Sequence, residues 1–297
     1  MNGSALIDKL SRFPLQSLQL NGRRLAWREA GSGPVLLLLH GISSGSGSWV
    51  AQLEGLSDRY RVLAWDAPGY GGSDALATET PTAMDYAAAL LELVNALALE
   101  QPLLVGHSLG ALQASAFASA QRDRLSGLAL ADPAQGYGLA DPATQQAMFR
   151  KRPAMLEALG PDGLARERAP ALLSPSATRE KVALVADSMR RLQLPGFSAA
   201  SWLLAHDDIW RYLPDYRRPL LVLCGDEDRI TPPASALALA ERHGRARYVA
   251  LPGAGHASYI DAPEAFDSAI DGYAQAQLQL QLQAQQGLGQ TPFSGGE

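Results

Sequence analysis

Short, wholly apolar runs that each end in a loop of glycine, histidine or aspartate constrain this chain more than any other feature. Val35-Leu36-Leu37-Leu38-Leu39 runs into His40-Gly41. Residues 103–105 run into Gly106-His107-Ser108-Leu109-Gly110, residues 125–131 into Asp132-Pro133, and residues 220–224 into Gly225-Asp226-Glu227-Asp228. Apolar runs this short, without alternation, suit strands covered on both faces, as in a parallel sheet. Residues 61–66 and 247–251 read as further strands. Helical spacing lies between them, over 81–99 with Pro81 in the first turn, from Ser108 to about Ala120, over 235–243, and from Pro263 onward. This alternation predicts an α/β fold with a mostly parallel central sheet and helices on both faces. The start differs: residues 16–20 and 23–29 flank Asn21-Gly22, the pair a tight β-hairpin turn needs.

One stretch breaks the alternation. Residues 134–214 hold helical patches and several prolines but no strong strand, and so long an insertion is more than a loop. The expected organisation is a core of 1–133 and 215–274, a helical cap of 134–214, and a Gln-rich tail of 275–297. That tail continues the last helix or pairs as a strand, with disorder from Gly287. Of the 297 residues 47% are hydrophobic and 19% charged, which excludes a disordered chain. A single cysteine, Cys224, excludes a disulfide scaffold or a cysteine-built zinc site. The net charge of -5 offers no footprint for nucleic acid or an anionic membrane. No apolar run is long enough to span a bilayer and the first residues lack a secretory core, so a cytoplasmic location is expected. Three lysines against 22 arginines suggest a GC-rich, bacterial coding sequence. Composition leaves a homo-oligomer open.

Gly106-His107-Ser108-Leu109-Gly110 matches G-x-S-x-G between a strand and a helix. This is the setting in which a sharp turn exposes a serine hydroxyl and a helix N-terminus favours developing negative charge. Serine needs a base. Of five histidines, His256 is the best placed, in the glycine-rich loop after the last strand, where a parallel sheet opens onto its active side. His107 sits inside the elbow with its side chain directed away from the chemistry, His243 caps a helix, and His206-Asp207-Asp208 reads as a polar cap loop. The base needs a carboxylate to fix its tautomer, and Asp226, Glu227 and Asp228 all qualify. The order serine, acid, histidine is the one found in α/β-hydrolases.

On these motifs, together with His40-Gly41-Ile42, the turn Asp66-Ala67-Pro68-Gly69-Tyr70-Gly71-Gly72-Ser73 and Asp261-Ala262-Pro263-Glu264, the chain resembles the α/β-hydrolase superfamily over residues 15–272. The resemblance favours Asp228 as the acid, with Asp226 second, and implies an oxyanion hole of the Ile42 and Leu109 backbone N–H groups. It makes His40 and Asp66 loop anchors. No cofactor is expected, and no paired histidine and carboxylate set at ligand spacing suggests a metal. The loop 43–49 lacks the lysine of a P-loop and the spacing of a dinucleotide site. Trp202, His206 and Trp210 are expected to wall a pocket; Trp49 is a candidate for the same wall, with packing under the cap as its favoured reading. The elbow serine argues against haloalkane dehalogenases and epoxide hydrolases, which use aspartate there. The expected reaction is hydrolysis of a small carboxylic ester or lactone. A C–C bond hydrolase of ring-fission products, an enol-lactonase or a cofactor-free perhydrolase would use the same residue types. An intact set of three argues against a non-catalytic receptor of this fold.

Overall fold

The computed structural model describes residues 5–288. Its eight strands are β1 (Gln16–Leu20), β2 (Arg23–Ala30), β3 (Val35–Leu39), β4 (Arg61–Asp66), β5 (Leu103–His107), β6 (Gly127–Ala131), β7 (Leu220–Gly225) and β8 (Ala246–Leu251). They form one sheet in the order β1-β2-β4-β3-β5-β6-β7-β8. The first two pairings, β1–β2 and β2–β4, are antiparallel, and the rest are parallel. The runs read as doubly covered are the central ones: every residue of β5, β6 and β7 is buried. At Asn21-Gly22 both residues have positive φ, 49° and 81°, as the hairpin turn requires.

The helices are α1 (Ala5–Asp8), α2 (Val50–Gly55), α3 (Ala83–Ala96), α4 (Leu109–Gln121), α5 (Pro142–Arg168), α6 (Arg179–Arg190), α7 (Leu194–His206), α8 (Pro233–His243), α9 (Ser258–Asp261) and α10 (Pro263–Leu288). α3 starts two residues later than expected. Thr82 caps it and Asp85 closes a capping box, leaving Pro81 outside the helix. α10 runs through the Leu-Gln stretch. Ile270, Tyr273, Ala274 and Gln277 form its buried stripe at helical spacing, while Leu280 and Leu282 face solvent. The stretch is therefore helix and not strand, and the helix includes Gly287, where the sequence suggests that disorder begins. The remaining tail, 289–297, lies outside the described residues. Among the described residues no helix is long and apolar enough to cross a membrane.

Between β6 and β7 the chain makes a helical insert of α5, α6 and α7, packed on one another. α5 is broken at Gly160, whose φ of 65° leaves the helical region, and Pro161 starts its second half. The insert is fastened to the core by backbone, not only by side chains. Gly69 and Gly196 touch so closely that a Cβ on Gly196 would lie 2.0 Å from the Gly69 carbonyl oxygen. Buried Asp207, at the end of α7, accepts from the Ala83 N–H (2.8 Å) at the start of α3 and from the Tyr212 hydroxyl (2.7 Å). Gly196→Ala must therefore separate two backbones. Its expected cost is about 1–3 kcal/mol, as for overpacking, with earlier proteolysis inside 142–206. A denaturation midpoint matching wild type would show that the insert seats by other contacts.

Candidate active site

Ser108 stands where β5 turns into α4, with φ 52° and ψ -116°, a conformation that a residue with a Cβ adopts only under strain. Its N–H donates to the Ala131 carbonyl (2.9 Å), and its own carbonyl accepts from the N–H groups of Ala111 and Ala134. The flanking glycines are steric necessities. A Cβ on Gly106 would sit 2.4 Å from the Gly110 carbonyl oxygen, and one on Gly110 would sit 2.4 Å from that of Leu39.

Two loops at the same end of the sheet bring partners to this serine. His256, after β8, places Nε2 3.0 Å from Ser108 Oγ. Its Nδ1 lies 2.9 Å from Oδ2 of Asp228, in the loop after β7. All three residues are buried. Asp226 and Glu227 are exposed, and Asp226 spends Oδ1 on the Gly253 N–H (2.7 Å). Asp228 Oδ1 accepts the N–H groups of Ile230 (2.7 Å) and Thr231 (3.0 Å), and the Thr231 hydroxyl lies 2.7 Å from Oδ2. Burial alone would raise the Asp228 pKa. The hydrogen bond and charge of His256, with the Thr231 donors, outweigh it and hold the carboxyl below its ordinary range.

Ile42 and Leu109 line the cavity beside Ser108, and among the described residues neither backbone N–H has a hydrogen-bond partner. The Leu109 N–H is one of the orphan donors of the α4 N-terminus. The Tyr70 hydroxyl donates to the Ile42 carbonyl (2.8 Å) and steadies that loop. His40 donates from Nδ1 to the Gly41 carbonyl (2.8 Å) and accepts at Nε2 from the Ala67 N–H (3.0 Å), which fixes one neutral tautomer; burial lowers its pKa accordingly. Asp66 accepts the N–H groups of Ser46 and Gly72.

The four aromatic candidates lie off the cavity wall. Trp49 is fully buried and stacks on Tyr259 with ring centroids 4.0 Å apart. Trp202 stacks on His206 at 3.6 Å. Trp210 lies beneath the Arg242 guanidinium (3.8 Å) and donates from its ring N–H to Gln135 (3.2 Å). The cause is helical geometry. α7 turns Phe197 and Leu204 to the cavity, and Trp202 and His206 belong to another stripe.

Some site-shaping residues have no readable sequence signal. His107, expected to be directed away from the chemistry, instead lines the cavity and donates from Nε2 to the His256 carbonyl (2.8 Å), because the loop after β8 packs against the elbow. Burial first, then the nearby His256 charge, drops its pKa to about 3, so it serves as a neutral strut. Asp132 accepts the Gly225 N–H and the Ser258 hydroxyl, and burial pushes its pKa up to about 7. Asp132, Cys224 and Asp228 bring possible ligand atoms within 4.8 Å of one another, but the carboxylate oxygens already accept these hydrogen bonds. Cys224 is buried, which pushes its thiol pKa up and away from thiolate chemistry.

Asp261 joins insert and core. Its Oδ2 accepts the N–H groups of Ser174 (2.5 Å) and of Gly255 (2.8 Å), the residue before His256. Asp261→Ala orphans two buried donors, an expected loss of about 2–5 kcal/mol in stability. It should also lower kcat more than it raises KM, because His256 loses its support, with partial rescue in Asp261→Asn. A change confined to stability would leave Asp261 a scaffold residue only.

An elbow serine, a histidine within hydrogen-bond reach and a buried carboxylate behind it define the class of serine hydrolases. Residues 34–263 match the family described as alpha/beta hydrolase fold, and the chain belongs to it. It is 30% identical to a pimeloyl-[acyl-carrier protein] methyl ester esterase of Aeromonas hydrophila, over 81% of this chain and 95% of that one. A thermophilic esterase from Thermogutta terrifontis, solved with malate bound, superposes with a TM-score of 0.80 at 29% identity, covering 89% of this chain and 99% of the other. The enol-lactonase of Burkholderia xenovorans shares the fold, with a TM-score of 0.77 at 24% identity over 87% of this chain and 99% of that one.

Proposed function

We propose that this hydrolase cleaves small carboxylic esters or lactones through an acyl-enzyme on Ser108. The observation that carries the reading is the continuous chain from Ser108 Oγ to His256 (3.0 Å) to Asp228 (2.9 Å). Ser108 Oγ attacks the carbonyl while His256 Nε2 takes its proton. Asp228 accepts from Nδ1–H, holds the productive tautomer and stabilises the imidazolium. The Ile42 and Leu109 N–H groups receive the oxyanion; losing one such donor typically costs about 3–4 kcal/mol of barrier. His256 returns the proton to the leaving oxygen, and water repeats the sequence on the acyl-enzyme to free Ser108. Residues 134–214 act as the cap that closes the cavity over the nucleophile, with 1–133 and 215–274 as the core. Ester cleavage is also supported by the relatives named as esterases.

The direct test is a panel of p-nitrophenyl esters, alkyl esters, lactones and ring-fission diketones. It is read together with fluorophosphonate labelling traced to the Ser108 peptide. Ester or lactone turnover with labelling at Ser108 is expected. Turnover of diketones alone would move the reaction to C–C bond hydrolysis, and an unlabelled, inactive wild type would end the hydrolase reading.

A further inference from the structure

The cavity above Ser108 holds about 550 Å³, and its wall is electrically one-sided. Lys151, Arg152 and Arg168, all from α5, line it, and no aspartate or glutamate does. Among the described residues none of the three has an ion-pair partner. Arg152 is the telling one. Its Nη1 is fully enclosed and has no hydrogen-bond partner. Burial lowers the Arg152 pKa, and the groups that act most on its guanidinium are the phenols of Tyr137 and Tyr70 and the like charge of Arg168.

This placement is built by the break in α5. In an unbroken helix, Arg152 and Arg168 would lie about 24 Å apart along the axis. The kink at Gly160 and restart at Pro161 fold the helix back, so that the two guanidinium groups feel each other's charge. Both arginines are half-buried at one cavity wall, and two like charges there, one of them with an enclosed donor left unpaired, are costly unless an anion joins them. Ile42 and Arg152 line the same cavity, so the cationic wall shares a chamber with the candidate oxyanion loop, whose Ile42 carbonyl Tyr70 holds. The remaining wall is largely apolar, with Met148, Met155, Val185, Met189 and Leu204.

Resting on the hydrolase reading above, we propose that the substrate carries a free carboxylate remote from its scissile ester or lactone bond, received by Arg152 with Arg168 and Lys151 behind it. An apolar spacer between the two groups would lie along the methionine-rich wall. The planar guanidinium fork suits a carboxylate better than a lysine would.

The test compares monomethyl esters of dicarboxylic acids, from succinate to suberate, with methyl esters of alkanoic acids of the same chain lengths. Wild type should prefer at least one half-ester over its neutral counterpart by about tenfold or more in kcat/KM, mostly through KM, and salt should erode the preference. In Arg152→Gln the ratio should collapse towards one, and Arg152→Lys should keep an intermediate ratio. Ser108→Ala, titrated calorimetrically with the same half-esters, reads the subsite without turnover and needs no change at Arg152. A wild-type ratio at or below one at every length overturns the proposal, as does a ratio unchanged in Arg152→Gln. Failure of the hydrolase reading looks different: no ester of either kind turns over and no phosphonate labels Ser108.

Discussion

Ser108→Ala should lower kcat/KM for any accepted ester by about four to six orders of magnitude and abolish fluorophosphonate labelling. The substitution removes one oxygen and leaves the Cβ, so the elbow keeps its backbone bonds to Ala131, Ala111 and Ala134. The glycines at 106 and 110 still admit the turn. The variant should therefore melt close to wild type, which separates lost chemistry from lost fold. The residual rate would come from the Ile42 and Leu109 donors and from substrate binding. A rate within tenfold of wild type would mean that another group attacks the carbonyl. Cys224 is no substitute, because its thiol is buried and pushed towards the protonated form.

Much of this site is legible in the sequence because strong local constraints write it. Apolar runs this short suit strands covered on both faces inside a sheet, and parallel strands deliver their following loops to the same edge. That places the loops bearing Ser108, Asp228 and His256 together before any coordinate is known. The residues alone leave three carboxylates open after β7, because the pairing depends on loop curvature. Here Asp228 turns inward on the Ile230 and Thr231 N–H groups, while Asp226 turns out to Gly253.

The insert reads less well. Its helices carry mixed polarity, and the orientation of each about its own axis is set by neighbours far away in sequence. Trp202 and His206 are attractive pocket residues by type, but the close contact of Gly196 with Gly69 fixes α7 so that Phe197 and Leu204 face inward. The cationic wall escapes the sequence for the same reason. Lys151, Arg152 and Arg168 look like ordinary surface charges until the break at Gly160 folds α5 over the cavity. His107 is hidden differently: the elbow motif leaves its position free, and only the packed loops show it propping the His256 carbonyl.

Asp228→Asn should cost about four orders of magnitude in kcat, while Asp226→Asn should stay within about threefold of wild type. The argument concerns a tautomer more than a charge. The side-chain amide that replaces the Asp228 carboxylate can donate to His256 Nδ1, which favours a bare Nδ1 and a protonated Nε2. That Nε2 can no longer take the Ser108 proton across their 3.0 Å contact. Thr231 strengthens the bias, since its hydroxyl lies 2.7 Å from Asp228 Oδ2 and 3.1 Å from Nδ1, where it can donate to a ring nitrogen left bare. Asp226 has only the Gly253 N–H to satisfy, and an asparagine carbonyl does that equally well. Single-turnover acylation with a p-nitrophenyl ester measures both variants at the step where the proton moves. A larger loss in Asp226→Asn would require the loop after β7 to rearrange in the working enzyme, and would transfer the acid's role to that residue.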